Sequence, residues 1–155
     1  MNLRISLILI AIILFMGCVD REKKKDGSSP LKEHAVSFNS KDEIRSLVNK
    51  VVLGDTNSYI KLRDIYMDSN HGREFLVYSI IMAENYNFAQ AYFDTYLALK
   101  TDIVDSSNQR SNKLANYYLL KAYEMKVADA NSSIIERFNK KHGLPTSKEL
   151  WIEIN

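Results

Sequence analysis

From Ile44 to the C-terminus, apolar residues recur every third or fourth position, and no stretch alternates with β-branched enrichment. That period constrains the chain to helices. Ser40-Lys41-Asp42-Glu43 has the pattern of a capping box, in which the first hydroxyl and the fourth carboxylate satisfy each other's backbone N–H groups. Ile44, Leu47, Val48 and Val51 follow on one face, and Gly54 supplies a stop. Further helices are expected near 56–67 (Tyr59, Leu62, Tyr66), 73–84 (Phe75, Tyr78, Ile81, Met82) and 88–100 (Ala89, Tyr92, Phe93, Tyr96). Others are expected near 108–126 (Leu114, Ala115, Tyr118, Ala122, Met125) and 131–141 (Ile134, Ile135, Phe138). Gly143-Leu144-Pro145 reads as a helix stop and a breaker. A second capping box, Thr146-Ser147-Lys148-Glu149, opens a last helix whose Leu150, Trp151 and Ile154 are expected to close the core. Short turns between all of these predict an all-α fold of antiparallel helix hairpins.

The N-terminus is of another kind. Arg4 precedes an apolar run from Ile5 to Met16, interrupted only by Ser6. As a helix that run spans roughly 18 Å, short of the roughly 30 Å hydrocarbon core, so it reads as the h-region of a signal peptide. The run leads into Phe15-Met16-Gly17-Cys18, which resembles a bacterial lipobox. Gly17 and Cys18 match that pattern, while Phe15 and Met16 are bulkier than its usual residues. The resemblance implies cleavage between Gly17 and Cys18 and lipidation of the Cys18 thiol. It implies an exported lipoprotein held in the cell envelope, with residues 1–17 as signal peptide. Cys18 is the sole cysteine, so no internal disulfide can form. One acyl chain binds a membrane only marginally, and lipoproteins of this type carry two or three.

Residues 18–39 are polar, with Lys23-Lys24-Lys25 and Gly27-Ser28-Ser29-Pro30, the composition of a disordered tether. Residues 40–155 are then the helical domain. Val19, rather than Asp, follows the cysteine, which leans towards the outer membrane facing the periplasm in Gram-negative sorting. The net charge of +2 carries no basic stripe, so nucleic acid is not an expected partner.

The helical region carries an internal echo. Ala115, Lys121, Ala122, Glu124 and Ala130 fall at the positions of the second-helix signature of Sel-one-like repeats, a tetratricopeptide-like family. Tyr118 stands where that family has Trp, and Lys126 where it has Gly. The stretch from Gly54 to Tyr66, with Ser58, Leu62 and Tyr66, resembles the turn and first helix of the same unit. A degenerate copy surrounds Ala83-Glu84 and Ala91-Tyr92. The equivalent small residues are Ser58, Ala91 and Ala130. The resemblance implies a short tetratricopeptide-like solenoid or bundle, and such arrays usually bind protein or peptide.

Chemistry-bearing motifs are missing from the sequence. His34, His71 and His142 are isolated, with no HExxH and no Cys–His cluster, so no metal site is expected. There is no GxSxG, phosphate loop or dinucleotide fingerprint, and neither a cofactor nor catalytic residues are expected. The nine tyrosines are the unusual resource. Adjacent Tyr117 and Tyr118 cannot face the same side, so Tyr117 or Tyr123 is the candidate partner-contacting residue. The expected function is a non-enzymatic, membrane-anchored protein-interaction module. Two alternatives are an immunity protein against a periplasm-delivered antibacterial toxin, and a periplasmic enzyme or cell-wall-binding lipoprotein.

Overall fold

A computed structural model describes residues 38–100, 109–139 and 142–155. Gly17, Cys18 and the tether lie outside the described residues. Within these residues the chain forms helices α1 (Lys41–Val51), α2 (Thr56–Asp68), α3 (Leu76–Tyr86), α4 (Ala89–Lys100), α5 (Gln109–Glu124), α6 (Ala130–Phe138) and α7 (Ser147–Ile154). The described residues contain no strand. The protein is all-α, as its apolar period requires. Packing reaches Phe38, two residues ahead of the expected start. Its ring stacks on His71 with centroids 3.9 Å apart and meets the Tyr66 ring edge-on.

The central element is α4, which packs against α3 and α5. Seven of its residues are buried, including Asp94 and Thr95. A helix buried on nearly every side has to satisfy its polar groups internally. Tyr59 Oη of α2 donates to Asp94 Oδ2 at 2.7 Å, Arg63 Nε to Oδ1 at 3.0 Å, and Gln90 Nε2 to Oδ1 at 3.1 Å. Thr95 donates to Ser79 Oγ at 2.9 Å, and Ser79 donates to the Leu76 carbonyl. Around these bonds Tyr59, Leu62, Ile65, Phe75 and Met82 are wholly buried. Each such apolar side chain contributes on the order of 1.5–3 kcal/mol by leaving water.

Several ends depart from expectation for visible reasons. Ser40 stands at the N-cap of α1, but its hydroxyl caps nothing. Its expected reciprocal partner, Glu43, instead pairs with Lys61 of α2 at 2.7 Å. The capping box at Thr146 does form: Glu149 N–H donates to Thr146 Oγ1 at 3.2 Å, and Thr146 N–H to Glu149 Oε2 at 2.7 Å. The third helix begins at Leu76 rather than Arg73, because His71 to Phe75 close turns first, with Glu74 N–H on the His71 carbonyl. It runs on through Tyr86 and ends on left-handed Asn87 (φ 50°), whose neighbour Phe88 donates back to the Met82 carbonyl.

Gly54 (φ 90°) is a position where glycine is required. A Cβ there would fall 2.5 Å from the Tyr86 ring, which clamps the turn by donating from its hydroxyl to the Val52 carbonyl at 2.7 Å. Left-handed backbone recurs at Asn70, Asn87, Lys126 and Asn139.

Candidate partner-binding surface

The site is built on α5 and α7. Glu124, the last residue of α5, accepts from the N–H and hydroxyl of Ser147, the first residue of α7, at 2.7 and 2.6 Å. Near the opposite ends, Lys113 pairs with Glu153 at 3.3 Å. The two helices therefore run in opposite directions, with a part-buried clip at one end and a weak, exposed one at the other. Between the clips, the Tyr117 and Trp151 rings lie 4.9 Å apart. Tyr117 also meets Tyr118 edge-on at 5.1 Å, and Tyr118 meets Tyr92 of α4 at 6.1 Å. Ring pairs at these spacings add about 0.5–1.5 kcal/mol each beyond their burial.

The cluster runs from core to solvent. Tyr92 and Tyr118 are buried, and Tyr117 is half-buried. Trp151 is 44% exposed and its neighbour Ile152 is 67% exposed. Lys121 places its ammonium 5.9 Å from the Tyr92 ring centroid. Burial, with the Glu84 carboxylate nearby, pushes the Tyr117 hydroxyl up to about 12. The same two causes raise Tyr92 and Tyr118. All three remain protonated at neutral pH and present donors rather than charge.

The sequence-predicted residues divide. Tyr117 belongs to the cluster, though half-buried rather than free. Tyr123 lies six residues on, about 240° around the helix, and is half-buried against the core. Trp151 was expected in the core and stands at the surface instead. An eight-residue helix cannot bury two adjacent large side chains on one face, and Leu150 takes the inward position. Ile135 is likewise exposed, because Ile134 faces inward. Tyr92 and Glu84 join the site only through tertiary packing.

Among the described residues, buried Asp94 has surroundings that resemble an acid–base site. Burial raises its carboxyl above the ordinary range, while Arg63, Tyr59 and Gln90 pull it back. Both its oxygens are taken by those donors. Its chemistry is that of an internal fastening. Among the described residues no three His, Cys, Asp or Glu side chains gather as a metal-binding group. No helix among them is long and apolar enough to cross a membrane.

No family model matches this chain, and neither a curated protein nor a solved structure matches it.

Proposed function

We propose that this protein is an exported lipoprotein, anchored through Cys18, whose helical domain binds a protein partner at the Tyr117–Trp151 surface without catalysing a reaction. The observation that carries the binding reading is an exposed Trp resting on a supported stack of tyrosines, with exposed Ile152 next to it in the chain. Trp and Tyr dominate binding hot spots, because they offer large rigid contact area at little entropic cost. A tryptophan packed on one face and wet on the other is already oriented for a partner. The Gly17-Cys18 junction and the polar segment behind it support an anchor in the cell envelope, in the outer membrane facing the periplasm.

We read the domain as degenerate hairpin repeats of the Sel-one-like, tetratricopeptide-like kind. Its register supports that reading. Gly54, Asn87 and Lys126 all have positive φ (90°, 50° and 63°), and each stands four residues ahead of a buried small residue: Ser58, Ala91 or Ala130. Four residues beyond those lie buried Leu62, Thr95 and Ile134. The position where the repeat family has Gly, and this chain has Lys126, is one whose backbone favours glycine.

Two experiments test the proposal. Labelled palmitate should enter the wild-type protein and not Cys18→Ala; label retained in the variant removes the anchor. A photo-crosslinking amino acid at position 151, in living cells, should give one discrete protein adduct. The same residue at exposed Asn57 should give none. Tyr117→Ala should weaken capture of that partner by at least ~30-fold, the equivalent of a ~2 kcal/mol hot spot. An adduct indifferent to Tyr117, or none at all, overturns the surface assignment.

A further inference from the structure

The row of rings from Tyr92 to Trp151 carries charge as well as apolar area. After burial, the Glu84 carboxylate near the end of α3 is the next cause that raises the hydroxyls of Tyr92, Tyr117 and Tyr118, and Glu124 adds to it at Tyr117. The carboxylates that act on Tyr117 thus make its surroundings negative. Glu124 is held by the N–H and hydroxyl of Ser147, neutral donors that leave its charge in place. Glu84 is exposed and belongs to none of the ion pairs among the described residues. The ring faces are electron-rich as well. At the inner end of the row the protein supplies a cation of its own, the Lys121 ammonium 5.9 Å from the Tyr92 centroid. At the outer end the Tyr117 and Trp151 rings are tilted by 43° to one another. Among the described residues no ammonium or guanidinium stands over either of them, that of Lys148 three residues before Trp151 included.

We propose that this surface receives an arginine side chain of the protein partner, an inference that rests on the partner reading above. Trp is the best ring for a cation. A guanidinium is flat, weakly hydrated and always charged, so it stacks on an indole face while its N–H groups turn to a carboxylate. An acidic partner segment would bring like charge to Glu84 and Glu124. A wholly apolar one would cover the rings and leave both carboxylates without a counter-charge. Arginine answers the ring face and the carboxylates together.

Trp151 is the sole tryptophan of the chain, so its fluorescence reports on this surface alone. The full chain is titrated at low salt, where screening is weak, with a capped triarginine peptide and with capped triglutamate and triserine. Triarginine should change the Trp151 emission saturably, and the other two should leave it flat. Glu84→Gln, with helicity checked by circular dichroism, should weaken triarginine binding about four-fold, the size of one exposed ion pair. Glu74→Gln makes the same charge change beside His71 and should not weaken it. Emission that never saturates, triglutamate binding as well as triarginine, or equal losses in the two variants overturns the proposal. The photo-crosslink at position 151 separates this from the partner reading. An adduct together with a flat triarginine titration removes the arginine and keeps the partner. A saturable titration with no adduct removes the partner, and with it the arginine's source.

Discussion

The two halves of this domain use aromatic residues in opposite ways. Between α1 and α4 most of the rings turn inward, with Tyr86 the exposed exception, and the hydroxyl of Tyr59 meets a charged hub at Asp94, itself wholly buried. Between α5 and α7 the rings form a line that ends in solvent at Trp151. Removing a hub member strands a polar group in the interior. Removing the outer ring strands nothing. The first half thus fastens the fold through buried polar bonds, and the second carries the surface proposed above to meet a partner.

The sharpest way to break this contrast is to damage the hub. Asp94→Leu leaves the Tyr59 hydroxyl and the Arg63 Nε without their acceptor, while Arg63 keeps only its 3.3 Å bond to Asp64. Loss of one partner of a buried pair costs about 3–5 kcal/mol, and partly exposed Arg63 places this case near the lower end. Urea unfolding should show a loss of about 3 kcal/mol, and a loss below about 1 kcal/mol would mean the hub is idle. Next is Gly54→Ala, which adds a Cβ against the Tyr86 ring at a left-handed backbone. A loss of about 2 kcal/mol is expected from backbone conformation and overpacking together, measured as a fall in melting temperature.

Acid titration sharpens the contrast through sign. Burial raises the Asp94 carboxyl above 3.8, so between that value and its raised one the folded state holds a proton the unfolded state has lost. Its contribution to stability is fully present below 3.8 and is lost as pH rises through the raised value. Exposed Asp55 and Glu149 are lowered by cap hydrogen bonds from Ser58 and Thr146. They act in the opposite sense, and their contribution is lost as pH falls. The stability difference between wild type and Asp94→Asn should therefore shrink as pH climbs through that window. A difference that does not change with pH would contradict the hub's protonation. The smallest expected effect is a gain. Lys126→Gly should stabilise by up to about 1 kcal/mol by relieving a left-handed backbone. A loss of stability would mean the Lys126 side chain contributes more than its backbone costs.

Much of the fold was legible because it rests on local rules. The 3.6-residue period located α1 to α7 but not the helical Phe38 and Asn39 expected in the tether, Gly54 and the Thr146 box marked ends, and Tyr59, Leu62, Tyr96 and Ala115 read correctly as core. What escaped depends on residues distant in sequence. Asp94 looks like an ordinary polar helix residue until Tyr59 and Arg63, more than thirty positions away, close on it. Ser40 carries the right sequence for a capping box, yet Lys61 holds the Glu43 it needs. Of the candidate surface, Tyr117 was visible through its pairing with Tyr118. Trp151 was not, because periodicity on eight residues cannot decide which of Leu150 and Trp151 turns inward.

The division between a fastening half and a presenting half is tested most directly by the equilibrium stability of Trp151→Ala in urea. A half-exposed ring at the end of its stack should cost less than about 1.5 kcal/mol, as for substitutions outside a packed core. A loss in the 3–5 kcal/mol range of a core Trp→Ala change would make Trp151 part of the core and leave the surface without its anchor.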